Sequence, residues 1–153
     1  MSRYAHTQRS PLYLLLMAVA LTIGIWGMLT GDDVPGMQLG LFGLSAMFVV
    51  ISACFAKLTV RDDGDKLVVR FGWLPAFGWS ARWEDIESAR QGKSALIDGW
   101  GIHWIPGRGT TVNLWGFDCV ELRVKGRIVR VGTDDAQKLT GYIRERISRE
   151  NSE

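Results

Sequence analysis

Two long apolar stretches open the chain, and a period of two takes over after them. The first stretch is Pro11–Gly31 (PLYLLLMAVALTIGIWGMLTG) and the second is Val34–Ala56 (VPGMQLGLFGLSAMFVVISACFA). Each exceeds the roughly 18–20 apolar residues that cross a hydrocarbon core at 1.5 Å rise per residue. Only the acidic pair Asp32-Asp33 and a Gly/Pro-punctuated turn separate them. The pattern predicts a transmembrane helical hairpin over residues 11–56, preceded by a short tail, residues 1–10. Pro11 suits a first helical turn, where its missing N–H costs nothing. The first run is too long for the apolar core of a signal peptide, and no small-x-small cleavage site closes it, so an uncleaved anchor is expected.

From Lys57 the alternation predicts short strands. Lys57–Arg61 and Lys66–Phe71 form a hairpin around Asp62-Asp63-Gly64-Asp65. An aromatic loop, Trp73–Trp79, leads to a third strand at Arg82–Gln91 that bends at Trp83–Asp85. Four more strands follow at Trp100–Ile105, Thr111–Trp115, Cys119–Val124 and Arg127–Val131. The last element is a helix. Thr133 is placed as its N-cap, Asp134 and Asp135 favour its positive end, and Ala136, Leu139, Ile143 and Ile147 make its apolar stripe. It ends near Arg149, and residues 151–153 are expected to fray. The fold class predicted is a membrane-anchored α+β protein. Its two-helix hairpin precedes a bent antiparallel barrel of about seven strands, residues 57–150, plugged by a C-terminal helix. Leu67, Val69, Ile102, Val112, Leu122, Val124 and Val129 are the expected inner face.

Small residues recur at three- and four-residue steps in both spans: Ala20, Gly24, Gly27 and Gly31 in the first, Gly36, Gly40 and Gly43 in the second. Such stripes let helix backbones approach closely in lipid. Packing of the two helices on each other is the reading preferred over a dimer interface, though a homo-oligomer stays open. Neither span holds a charge, which gives an ion pathway little support. Arg3 and Arg9 precede the hairpin, Lys57 and Arg61 follow it, and the loop between has no base. The positive-inside rule then puts the tail and the β-rich domain on the cytoplasmic side.

Composition narrows the function. The chain of 153 residues carries 18 Lys plus Arg and 16 Asp plus Glu, a net charge of +2. The four charges before Lys57 cancel, so the remaining segment keeps that balance, far from the basic bias of a nucleic-acid binder. About 97 residues are left for one soluble domain. The two cysteines, Cys54 and Cys119, fall in different compartments, so no disulfide is expected, and no residue group has metal-ligand spacing. His103 reads as an ordinary strand side chain.

Catalysis finds no support. Asp98, His103, Asp118 and Glu121 are the acid–base candidates, but no nucleophile elbow accompanies them. Pro106-Gly107-Arg108-Gly109 lacks the Lys-Ser/Thr of a phosphate loop, and Asp62–Asp65 lacks the distal Glu of a calcium loop. No cofactor is expected.

Several segments together resemble the bacterial pleckstrin-homology-like domain of small membrane proteins. They are Gly99-Trp100-Gly101-Ile102-His103, the run Val112, Gly116, Val120-Glu121-Leu122, and Gly126-Arg127 leading to Val131-Gly132-Thr133-Asp134-Asp135. Arg82–Ser88 is similar to that family's third-strand segment. The likeness covers Leu58–Arg146 and implies a fold and a bacterial cell (inner) membrane location rather than an activity. The Asp-rich first turn departs from the basic turn with which well-known members grip inositol phosphates, because three carboxylates would repel them.

A simple up-and-down meander would alternate its connectors between the bilayer and the cytoplasm. That parity collects Trp73, Phe77, Trp79, Arg108, Lys125 and Arg127 at the membrane end and Asp62, Asp63, Asp65, Asp98 and Asp118 at the other. The sequence therefore predicts a membrane-anchored, non-enzymatic interaction module. It docks on the anionic leaflet or binds a partner protein; the alternative is an accessory subunit of a larger membrane complex assembled through the hairpin.

Overall fold

The computed structural model describes residues 3–30, 36–73, 77–95 and 99–150. Two long apolar helices, α1 (Leu12–Leu29) and α2 (Met37–Cys54), stand beside a two-sheet domain closed by a C-terminal helix, α3 (Ala136–Glu150). This is an α+β fold.

The first sheet contains β1 (Ala5–Arg9), β2 (Lys57–Asp62), β3 (Lys66–Phe71) and β4 (Gly78–Arg82), in that order and all antiparallel. The expected free tail is thus the edge strand β1. It lies against β2 with Ala5 opposite Arg61 and Arg9 opposite Lys57. The helix pair is consequently an insertion between two neighbouring strands, and the N–H of Ser10 still reaches the carbonyl of Ala56 at 3.4 Å where the chain departs into the helices.

The second sheet holds β5 (Ile86–Lys93), β6 (Gly101–Ile105), β7 (Gly109–Asn113), β8 (Asp118–Val124) and β9 (Arg127–Gly132), in the order β5-β8-β9-β7-β6. This is not the expected meander. The β8–β9 hairpin occupies the centre, and β7 runs parallel to β9, with Thr110 opposite Val129. The strands with the richest inward faces are central: Val120, Leu122, Val129 and Val131 are buried. β6 is left at the edge, and Ile102, expected inside, is 42% exposed.

Among the described residues there are nine strands where seven are expected. Besides β1, the predicted third strand is two: β4 ends at Arg82, a single 3-10 turn covers Trp83–Asp85, and β5 starts at Ile86 in the other sheet. The bend was foreseen; a full strand before it was not, because Gly78-Trp79-Ser80 reads as loop composition.

The core lies between the sheets and under α3. Leu58, Val60, Leu67, Val69, Val112, Leu114, Val120, Leu122 and Trp83 pack there with Leu139 and Ile143 of α3. Thr133 does not cap α3 directly; its hydroxyl accepts the N–H of Asp135 at 3.1 Å, forming the turn that launches the helix.

α1 and α2 run antiparallel. Ser45 donates its hydroxyl to the Ala20 carbonyl at 2.7 Å, and Ser52 donates to the Tyr13 carbonyl at 2.8 Å. Ala20, Gly24 and Gly27 face α2: a Cβ on Gly27 would meet Leu41 at 3.2 Å, and one on Gly24 would meet Ser45 at 3.1 Å. The expected second stripe does not answer it. Gly36, Gly40 and Gly43 have nothing within 4 Å of an added Cβ, so they lie off the α1–α2 contact, which Leu41, Ser45 and Ser52 make instead. Gly31 lies outside the described residues. Each helix is long and apolar enough to cross a membrane. Only Ala20 and Gly27 in α1, and Ser52 and Cys54 in α2, are buried by the protein itself.

Candidate functional site

The helices join the first sheet at one end of β2 and β3, so the two-sheet domain has a helix-proximal and a helix-distal end. Lys57, Phe71 and Gly72 mark the proximal end. The Gly72 N–H donates to the Lys57 carbonyl at 2.7 Å. Gly72 has φ +63°, and a Cβ there would lie 2.6 Å from the Ala53 carbonyl oxygen and 2.7 Å from the Cys54 Cα. Only glycine lets β3 turn this close against the last turn of α2. Phe55 meets Phe71 edge-on at 6.5 Å between centroids.

This junction leaves two concavities. One, of about 410 Å³, lies between the bases of α1 and α2, lined by Arg9, Tyr13, Met17, Ser52, Ala53, Ala56, Lys57 and Trp73. The other, of about 270 Å³, lies between the end of α2 and the two sheets, lined by Cys54, Phe55, Phe71, Phe77 and the start of β6 at Trp100–His103. Trp73 and Phe77 are 77% and 56% exposed. The Lys57 ammonium sits 5.8 Å from the Trp73 ring centroid, a cation–π distance. Arg70, exposed and opposite Gly78, adds a third cation at this end.

The six residues expected to share the helix-proximal end do not come together. Trp73 and Phe77 are there. Trp79, opposite Val69, packs partly against the core. Arg108, Lys125 and Arg127 are at the distal end. The Lys125 N–H donates to the Asp85 carbonyl and its ammonium pairs with the Asp85 carboxylate at 3.0 Å; the adjoining Trp83 N–H donates to the Asp65 carbonyl. Arg127 lies opposite Val124 beside that turn. The Arg108 carbonyl accepts from Arg130 at 2.6 Å near the start of β9. The cause is β4: one additional strand reverses the path before β5, which inverts the parity of every later connector. The segregation of acids fails with it. Asp62, Asp63 and Asp65 share the distal end with these cations, Asp118 lies at the proximal end of β8, and Asp98 is outside the described residues. The proximal cations include instead Arg9, Lys57 and Arg70; the sequence marks the first two only as flanks of the spans, because it does not show β1 pairing with β2.

A second cluster, at the distal end, is built on Asp62, expected only as the first residue of a turn. Its carboxylate accepts from the Gly64 N–H at 2.7 Å, Trp83 Nε1 at 3.2 Å and the Tyr142 hydroxyl at 2.5 Å. Burial alone would raise this carboxyl; the three hydrogen bonds and the nearby Arg146 charge outweigh it and hold it below the ordinary carboxylate range. Arg146 also lies 5.8 Å over the Trp83 ring and donates to the Gly64 carbonyl. Burial, then the hydrogen bond to Asp62, raises the Tyr142 phenol. Tyr4 of the N-terminal segment stacks 5.4 Å from Tyr142, and burial followed by the charges of Asp135 and Asp134 raises its phenol well above the usual value. The cluster ties β2, the Trp83 turn, α3 and the N-terminal segment together, a structural arrangement.

Of the acid–base candidates, Glu121 is held by Arg90 and by Arg130 at 3.1 Å, and the His103 ring meets the Trp100 carbonyl at 2.6 Å. Neither Cys54 nor Cys119, both buried, forms a disulfide. Among the described residues no three His, Cys, Asp or Glu are grouped to hold a metal. The chain matches no protein-family model, and no curated protein matches it.

Proposed function

We propose that this protein is a membrane-anchored interaction module without catalytic activity. In this reading α1 and α2 cross the membrane as a hairpin, and the two-sheet domain stands on the cytoplasmic face with its helix-proximal end against the leaflet. The domain itself is taken as pleckstrin-homology-like, in line with the resemblance of Leu58–Arg146; two sheets and a closing C-terminal helix support that, while the parallel β7–β9 pair and a first strand placed ahead of the helices depart from a simple meander.

One observation carries the proposal. The exposed rings of Trp73 and Phe77 and the cations Arg9 and Lys57 all lie at the end from which two largely unburied apolar helices emerge. Aromatic rings and snorkelling cations favour the headgroup layer, and unburied Leu, Ile and Met side chains on the helices favour hydrocarbon. The positive flanks and the acidic interhelix loop support this orientation. The accessory-subunit reading keeps one observation in its favour: the Gly36, Gly40 and Gly43 stripe of α2 is open.

The test is site-specific photo-crosslinking in native membranes. A benzophenone amino acid replaces Trp73, Phe77 or Arg108 in the full-length protein. Lipid adducts at 73 and 77 and none at 108 are expected. A protein adduct at 73 and 77 would move the function to partner binding at this end. Equal adducts at all three positions, or adducts at 108 alone, would overturn the docking geometry.

A further inference from the structure

We propose that the concavity between the bases of α1 and α2 binds a single anionic phospholipid, its phosphate held by Arg9 and Lys57 and one acyl chain laid along Tyr13 and Met17. This rests on the membrane-anchored reading and names a ligand for that end of the molecule.

The strand register supplies the first argument. Arg9 and Lys57 are direct cross-strand partners in the β1–β2 pair. Like charges placed directly opposite each other destabilise a sheet. None of the ion pairs among the described residues involves either side chain. The pair is therefore a concentration of positive charge that an anion would neutralise, and it sits where the chain enters both helices.

The walls supply the second. Below the two cations the lining turns apolar, with Tyr13 and Met17 from α1 and Ala53 and Ala56 from the end of α2, and Trp73 at the rim. The Ser52 hydroxyl is already committed to the Tyr13 carbonyl, so the groove offers an acyl chain no unmet polar group from that residue. A volume of about 410 Å³ lies within the range of small-molecule sites, about 300–1,000 Å³. A charged top and an apolar wall running toward the bilayer match a phosphodiester headgroup with its chain. No carboxylate lines the groove to receive the ammonium of a zwitterionic lipid, which selects a headgroup of net negative charge.

Native mass spectrometry of the detergent-solubilised full-length protein tests this, using dioleoylphosphatidylglycerol and dioleoylphosphatidylcholine as probes. One phosphatidylglycerol is expected to be retained in preference to phosphatidylcholine. Arg9→Gln with Lys57→Gln is expected to weaken it by about twenty-fivefold, at about fivefold per cation. Arg108→Gln with Arg127→Gln removes the same charge at the distal end and is expected to leave retention unchanged. Thermal unfolding of both double variants checks that the fold persists. Equal retention of the two lipids, or equal loss in both double variants, overturns the site. So does comparable binding of the chain-free headgroup glycerophosphoglycerol, which would leave the apolar groove no part. Alkaline carbonate extraction of native membranes separates the two failures. Release of the protein overturns the membrane reading itself; retention in the pellet without a phosphatidylglycerol preference overturns the lipid site alone.

Discussion

Asp62 closes β2 on the same inward parity as Leu58 and Val60, and its burial follows from that alternation. The period-two pattern was visible in the sequence, but turn composition outweighed it, because Asp62-Asp63-Gly64-Asp65 also makes a good solvated turn. What the sequence could not show was that Trp83, Tyr142 and Arg146, from distant segments, converge on that carboxylate. Replacing Asp62 by Asn keeps an acceptor for Trp83 and Gly64 but removes the anion facing the Tyr142 hydroxyl. A loss of about 1.5–3 kcal/mol is expected, the range for hydrogen bonds to charged groups. The pH dependence has a definite sign. The folded carboxyl titrates below its unfolded value of about 3.9, so its stabilisation is complete above that value and is lost as pH falls through the lower, folded one. Denaturant titrations from pH 7 to pH 2 should show the wild type losing stability below about pH 4 and the gap to Asp62→Asn closing there. A gap that stays constant across that range would show the carboxylate charge to be irrelevant.

At the scale of elements, the two helices were legible to within about three residues at each end from run length alone, whereas the strands were legible one at a time and not in their pairing. Alternation marks a strand and its inward face but does not say which neighbour it meets. The central place of β8–β9 and the parallel approach of β9 to β7 are decided by long-range packing of Val120, Leu122, Val129 and Val131. β4 was missed for a local reason, since a short strand of Gly, Trp, Ser, Ala and Arg carries no clean apolar alternation. That one omission moved Arg108, Lys125 and Arg127 to the wrong end. The glycine stripes show the same limit: spacing marks a smooth helix face, not its partner. Gly27→Leu drives a side chain into Leu41 and Phe42, so it should destabilise the α1–α2 pair by about 1–3 kcal/mol, the usual cost of overpacking. Gly40→Leu meets open space and should leave the pair unaffected. Thermal unfolding in detergent, read by helical circular dichroism, compares them. Equal destabilisation by both would place the α2 stripe in an interface after all, and a change in oligomeric state with Gly40→Leu would identify that interface as one between copies.

For the whole molecule, the position of β1 decides what the domain is. A chain that begins at Lys57 lacks the strand that covers the outer edge of β2, and lacks Tyr4, which packs on the core beside Tyr142. The exposed edge would offer a row of unpaired backbone groups to other chains. Residues 57–150 alone are therefore expected to aggregate. The register offers a remedy. Because Arg9 lies directly opposite Lys57, a two-residue Asn-Gly turn can join them, the turn type that matches the twist of paired strands. Replacing residues 10–56 by that turn should give a soluble protein in which β1 and β2 form an ordinary hairpin. The replacement also removes α2 from Gly72 and Phe55 from Phe71, so some stability at the proximal end is forfeited while the core under α3 is kept. Cooperative unfolding together with slowed amide exchange across β1 and β2 is the expected result. If the grafted chain unfolds no more cooperatively than residues 57–150 alone, the helices and not β1 hold the domain together. The two-sheet unit would then be a part of the hairpin's structure rather than a module mounted on it.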